Sequence, residues 1–261
     1  MIRAGIGGWV YEPWRGGEFF PKGLAKTKEL SFASRALNAI EINSTYYSSP
    51  TPASVKRWGE ETPDDFVFAV KASRFATNRR VLSEAGPSVT RFLESGITGL
   101  KKKLGPILWQ FAPTKKFDRA DFEGFLAMLP KAQDGVILRH AVEVRHDSFC
   151  TPEFVDLARK YDTAIVFADS EKYPAIADPT SDFIYARLQQ TQPGIKTGYA
   201  PAALKKWAEH AREWEKGAVP KDLPTFGPEP QKKKRDVFVF MISGAKEKNP
   251  AAATAFLKLL K

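Results

Sequence analysis

Glu41 stands in the middle of an apolar run, "AIEIN" (Ala39–Asn43), between Ile40 and Ile42. An unpaired carboxylate is expensive to bury, so this residue is expected either to be paired or to do chemistry. Similar runs carry Lys71 in "FVFAVKA" (Phe66–Ala72), Gln110 in "PILWQF" (Pro106–Phe111) and Glu143 with Arg145 in "HAVEVRH" (His140–His146). Asp169 closes "TAIVFAD" (Thr163–Asp169), and Arg187 lies in "FIYARLQ" (Phe183–Gln189). Counting by twos, as strand geometry requires, puts Ala39, Glu41 and Asn43 on one face. The same count groups Val67, Ala69 and Lys71; Leu108 and Gln110; Ala141, Glu143 and Arg145; Ile165, Phe167 and Asp169; Phe183, Tyr185 and Arg187. Each strand thus turns polar towards its C-terminal end on a single face. The acids Glu41, Glu143 and Asp169 and the bases Lys71, Arg145 and Arg187 predict a buried ion network. Lys71, on the next strand, is the expected partner of Glu41. As chemistry, paired carboxylates beside a lysine suit acid/base catalysis, and arginines fork onto an anion. As structure, the same network fills the top of a barrel.

The elements that must hold these groups follow from the apolar runs. "RAGIGG" (Arg3–Gly8) precedes the six above and "DVFVFMI" (Asp236–Ile242) follows them, which makes eight. They are rich in Val, Ile and Phe and mostly lack polar alternation, as buried parallel strands do. Helix signals separate many of them. Thr51-Pro52 and Thr151-Pro152 each place a cap before a proline at the first helical position. "FDRADFEGFLAML", "APAALKKWAEHAREWEKG" and "NPAAATAFLKLLK" read as amphipathic helices. Between Asp169 and Asp182 two prolines allow at most a helical stub. Eight strands alternating with helices predict a single (β/α)8 TIM barrel over residues 1–261. A doubly wound open sheet is the alternative, weakened because no GxGxxG opens a helix after a strand.

The first loop, "GGWVYEPWRGGEFFP" (Gly7–Pro21), hangs Trp9, Tyr11 and Trp14 near the predicted mouth, with Tyr46 and Tyr47 from the second. Such rings stack sugars or bases; for Trp14, packing within its own loop is the expectation. His146 falls on the opposite parity from Glu143 and Arg145, as a loop proton shuttle or a hydrogen-bonded spacer. Only two other histidines, His140 and His210, are present, too few for an ordinary zinc cluster. No metal and no cofactor is therefore expected, an all-carboxylate magnesium site being the exception left open. Cys150, the one cysteine, has only His146 near it and is a minor candidate for a nucleophilic thiol.

The net charge of +10 permits anionic partners, including nucleic acid. The two lysine runs, Lys101–Lys103 and Lys232–Lys234, each precede a strand and so belong to the pole opposite the mouth. They read as solvated surface. No apolar leader or membrane-length run is present, and a lone cysteine forms no internal disulfide. A reducing, cytoplasmic setting is the expectation.

"GGWVYEPWRGGEFFPKGL", "NAIEINSTYYSSPTPASVKRW", "FVFAVKA", "LGPILWQF", "AVEVRHDSF" and "ADS", in this order, resemble the YecE-like family, domain of unknown function 72. The resemblance runs from Ile6 to about Arg187 and implies a TIM barrel but no reaction. Matching positions include Trp9, Tyr11, Trp14, Glu41, Asn43, Ser44, Tyr47, Lys71, Gln110, Glu143, Arg145, His146, Asp169 and Arg187. Similar proteins place His-Gly where this chain has Gln189-Gln190, and tryptophan near Cys150. The combined reading is a metal-independent acid/base enzyme, a lyase, isomerase or hydrolase, on a small anionic or sugar-like substrate. Glu41, Lys71 and Glu143 are the catalytic candidates. Trp9, Tyr11, Asn43, Tyr47, Gln110, Arg145, His146, Asp169 and Arg187 are the candidates for binding. The alternatives are a nucleic-acid-binding or processing protein with an aromatic rim, and a non-catalytic ligand-binding barrel.

Overall fold

All eight apolar runs form strands, because residues that are apolar on both sides of the pleat need cover on both sides. In a computed structural model, which describes residues 1–261, they are β1 (Ile2–Gly7), β2 (Ala39–Ile42), β3 (Val67–Lys71), β4 (Leu104–Gln110), β5 (His140–Glu143), β6 (Ala164–Asp169), β7 (Phe183–Leu188) and β8 (Asp236–Met241). All pair in parallel with their sequence neighbours, and β1 pairs with β8 to close the barrel. The helices are α1 (Glu29–Ala36), α2 (Pro52–Glu61), α3 (Arg74–Thr77), α4 (Gly86–Leu93), α5 (Arg119–Ala127), α6 (Pro152–Lys160), α7 (Pro201–Glu215) and α8 (Asn249–Leu260). The result is a (β/α)8 TIM barrel. None of its helices is long and apolar enough to cross a membrane.

The expected caps form: Thr51 Oγ1 accepts from the Ser54 N–H and Thr151 Oγ1 from the Phe154 N–H. Three helices, α1, α3 and α4, have no clear counterpart among the sequence signals. Conversely, β6 is followed by no helix at all. Residues 170–182 run as irregular chain containing Pro174 and Pro179. Buried Thr180 satisfies the end of that chain by donating to the Thr163 carbonyl and accepting from the Ile165 N–H. Asp178 accepts from the backbone N–H groups of Phe226 and Gly227, so the proline-rich 219–230 segment covers the position a helix would occupy.

Inside the barrel the packing is lopsided. Ala39, Ala69, Ala141 and Ala164 line the sides formed by β2, β3, β5 and β6, while Phe183, Tyr185, Phe238 and Phe240 project from β7 and β8. The large rings fill the space the alanines leave. Gly5 takes this economy to its limit, since a Cβ there would lie 1.8 Å from the Ala39 carbonyl oxygen. In β6 the inward residues are Ala164 and Val166. Phe167 instead packs outward on Trp207 and Trp214 of α7. The parity that would have turned Asp169 inward is therefore off by one. A strand apolar on both faces has no alternation to fix its register, and a one-residue slip exchanges the faces.

One of the lysine runs is not solvated throughout. Lys101 and Lys102 are exposed, but Lys103 is buried and its ammonium donates to the carbonyls of Gly59 (2.6 Å) and Thr62 (2.8 Å). These acceptors end α2, where unpaired carbonyls and the helix dipole favour a cation. Lys103→Ala should lower stability by about 2 kcal/mol, whereas Lys102→Ala should stay within about 0.5 kcal/mol of wild type. Urea unfolding of both variants checks this; equal effects would contradict the capping role.

Candidate active site

At the C-terminal end of the barrel, Arg187 of β7 reaches across the interior and grips two carboxylates. Its Nη2 and Nε donate to Glu41 of β2 at 3.0 and 3.1 Å, and its Nη1 donates to Glu143 of β5. Tyr185, two residues earlier on the same face, donates its hydroxyl to Glu41 at 2.7 Å. Gln110 of β4 donates to Glu143 at 2.9 Å, and Arg145, just beyond β5, donates to its other oxygen at 2.7 Å. Both carboxylates have 0 % of their surface exposed. Gly7 lies level with Glu41, and its missing side chain leaves room for the Asn43 amide and the Ile242 side chain above the network.

The expected partner of Glu41 was Lys71; the structure gives it Arg187 instead. A planar guanidinium bonds two carboxylates at once, which a lysine ammonium at the edge of the cluster does not match. Burial pushes the Glu143 carboxyl up, but the charges of Arg187 and Arg145 and the Gln110 hydrogen bond prevail and hold it down at about 2. Burial lowers Arg187, yet Glu143 and Glu41 carry it above the ordinary arginine value. Burial, with Glu41 adding to it, raises Tyr185 well above the usual phenol range.

Lys71 is the group these bonds leave over. Its ammonium lies 4.1 Å from the centre of the Tyr46 ring, and no carboxylate comes within ion-pair distance. Burial first, then the charge of Arg187, push it down to about 8, against the attraction of Glu41 and Glu143. Arg145 is the second group with spare capacity. Its guanidinium lies 4.3 Å from the Tyr173 ring centre and borders an open cleft of about 490 Å³ that Lys172, Gln190, Ser243 and Gly244 also line.

The remaining candidates lie elsewhere. Trp9 tucks behind the barrel against Trp58 and Phe68. Tyr11 packs on Trp14 and lies under Lys246, while Trp14 is buried among Phe19 and Phe20, as expected. Tyr47 points to solvent on the outer rim. His146 accepts the Ser148 N–H at Nδ1 and caps a short helical turn, Asp147–Phe149. Asp169 faces outward, bonded to Gln190 and Tyr199, and burial raises its carboxyl. Burial and Asp147 raise the Cys150 thiol, the opposite of an activated nucleophile. Two members of the site were not singled out as functional: Tyr185, detectable because a buried tyrosine hydroxyl needs a partner, and Tyr173, for which the sequence offers no signal. No group of three or more His, Cys, Asp or Glu is placed to hold a metal ion.

A family model described as protein of unknown function DUF72 matches residues 3–261. The UPF0759 protein YecE of Escherichia coli K12 is 30 % identical over 152 residues, 57 % of this chain and 50 % of that one. The UPF0759 protein YunF of Bacillus subtilis 168 is 26 % identical over 167 residues, 60 % of this chain and 55 % of that one. The chain thus spans about half the length of the curated relatives it matches. Among solved structures, a DUF72 family protein of Thermotoga maritima has a TM-score of 0.73 at 23 % identity, over 100 % of this chain and 99 % of that one. D-psicose 3-epimerase has a TM-score of 0.53 at 11 % identity, over 99 % and 96 %. These likenesses in structure show a shared fold. With the family model matched from the first barrel strand to the end of the last helix, the chain belongs to the YecE-like DUF72 family.

Proposed function

We propose that this protein is a metal-independent enzyme that moves a proton on a small anionic substrate, with Lys71 as the acid/base and Arg145 as the anchor for the anion. The observation that carries the reading is the position of Lys71 at the barrel mouth, with its ammonium over the Tyr46 ring and none of its protons donated to a carboxylate; burial pushes that amine down to about 8. A general base works best when its pKa is near the working pH. The cluster also holds two carboxylates, Glu41 and Glu143, against three cations, Lys71, Arg145 and Arg187. One positive charge in excess favours a substrate that brings a negative one. The oxygens of Glu41 and Glu143 are already bonded to arginine, tyrosine and glutamine, so they orient Arg187 and Arg145 rather than divide acid and base roles. The same bonds leave them poorly disposed as metal ligands.

The test is metabolite capture by the purified protein, read by mass spectrometry, followed by turnover of whatever is captured. Lys71→Met should keep binding the captured compound and turn it over about 100-fold to 10,000-fold more slowly, while Arg145→Met should lose the binding itself. A Lys71→Met variant with wild-type turnover would end the proposal.

The lowered pKa has a second consequence. The fold disfavours the ammonium, so the unfolded chain binds the proton more tightly between pH 8 and the ordinary lysine value. Stability contributed at this position is least below pH 8 and rises as the pH climbs through that window. Urea unfolding at pH 7, 9 and 10 should show wild type gaining on Lys71→Met; parallel profiles would mean that Lys71 is not desolvated. Arg187→Met, by contrast, leaves Glu41 buried without a cation and Glu143 with Arg145 alone, and should cost about 3–5 kcal/mol at neutral pH, measured by the same method.

A further inference from the structure

Beyond the proton-transfer reading, a second cleft opens beside the mouth, between the segment after β2 and the helices α3 and α4. It measures about 350 Å³ and is lined by Tyr47, Ser73, Phe75, Arg79, Arg91 and Phe92 among others, with no carboxylate in its wall. Two of its aromatic rings stand in water: Tyr47 is 64 % and Phe75 61 % exposed. Rings of that size are usually covered in a folded chain. The Arg74 guanidinium sits between them, 5.8 Å from the Tyr47 ring centre and 5.5 Å from that of Phe75.

The charge is as distinctive as the rings. Arg74, Arg79, Arg80 and Arg91 crowd into 18 residues of sequence, and none of them lies within ion-pair distance of a carboxylate, unlike Arg15, Arg139, Arg145 and Arg187. Arg79 is held in place by the Phe75 carbonyl and the Ser88 hydroxyl, both at 2.9 Å, which leaves its Nη1 free. Tyr47 in turn packs edge-on against Tyr46, the ring that lies over Lys71. The basic aromatic surface is therefore continuous with the mouth, whereas Lys232–Lys234 precede β8 at the opposite pole.

We propose that this cleft binds single-stranded nucleic acid, with a base stacked on Phe75 or Tyr47 and the flanking phosphates on Arg74, Arg79 and Arg91. Aromatic platforms interleaved with arginines fit a strand because every base offers a face and every linkage a charge. A cleft of this volume holds one nucleotide. Three uncompensated arginines, Arg74, Arg79 and Arg91, and two exposed rings exceed what one free nucleotide needs, and they favour a strand that continues past the cleft on both sides.

The test is fluorescence anisotropy with a labelled oligothymidylate of about 12 nucleotides. Binding should weaken steeply as salt is raised from about 50 to 200 mM. Phe75→Ala and Tyr47→Ala should each weaken it about 5-fold or more. Arg91→Ala should also lower the slope of log affinity against log salt by about 0.7. These side chains are exposed, and circular dichroism checks that the variants keep their fold. Replacing Lys232, Lys233 and Lys234 together by alanine should leave affinity unchanged. No binding at about 50 mM salt would overturn the proposal. So would a triple lysine variant that loses as much as Arg91→Ala, since the binding would then be diffuse attraction to a basic protein. Adenosine monophosphate binding as tightly as the oligonucleotide would overturn it too, making this a site for free nucleotides.

Discussion

The bridge from Arg187 to Glu41 and Glu143 is the constraint on which the mouth of this barrel depends. It ties β7 to β2 and to β5 through the middle of the barrel, between strands that are not hydrogen-bonded neighbours. Two fully buried carboxylates are tolerable only because one guanidinium serves both, with Tyr185, Gln110 and Arg145 using the remaining lone pairs. A buried pair of this kind is a weak source of net stability, since desolvation offsets most of its attraction. What it provides is definition: the arginine cannot rotate away without abandoning a buried anion.

The lopsided interior makes that bridge possible. Alanines on β2, β3, β5 and β6 and glycines on β1 keep their walls thin, so that Tyr185 and Arg187 extend from β7 to the far side. Larger residues at Ala39 or Ala69 would occupy the space of the aromatic layer just below the ions. Size and charge are thus coupled: the small residues under the network are as much part of its construction as the arginine.

Much of this was legible in the residues themselves. Eight mainly apolar runs alternating with helix signals pointed to the barrel, because parallel strands are covered on both faces; an open sheet needs the same runs, and only the missing GxGxxG weighed against it. The polar ends of β2, β3, β4, β5 and β7 could be gathered onto one face by counting, and those residues do converge. Counting failed at β6, where Phe167 and Val166 are equally apolar and nothing in the composition says which faces in. It failed again for the aromatic loop, because a tryptophan that rims a cleft and one that tucks behind a strand read alike. The partner of Glu41 was missed for a geometric reason. Adjacency in the sheet favoured Lys71, but an arginine is long enough to cross a barrel whose interior is lined with alanine.

Two lysines drawn into the fold meet opposite surroundings. Lys103, at the closed pole, finds backbone carbonyls at the end of α2 and uses its protons there. Lys71, at the open pole, finds an aromatic face and a ring of charges already committed to one another. Both ammonium groups are drawn out of water, and only one is compensated by fixed acceptors. The carboxylates that would have quieted Lys71 are taken by Arg187, whose planar fork makes the better bond. The bridge that stabilises the burial of Glu41 and Glu143 therefore leaves Lys71 short of a counterion, and a group held in that state gains by meeting an anion from solution.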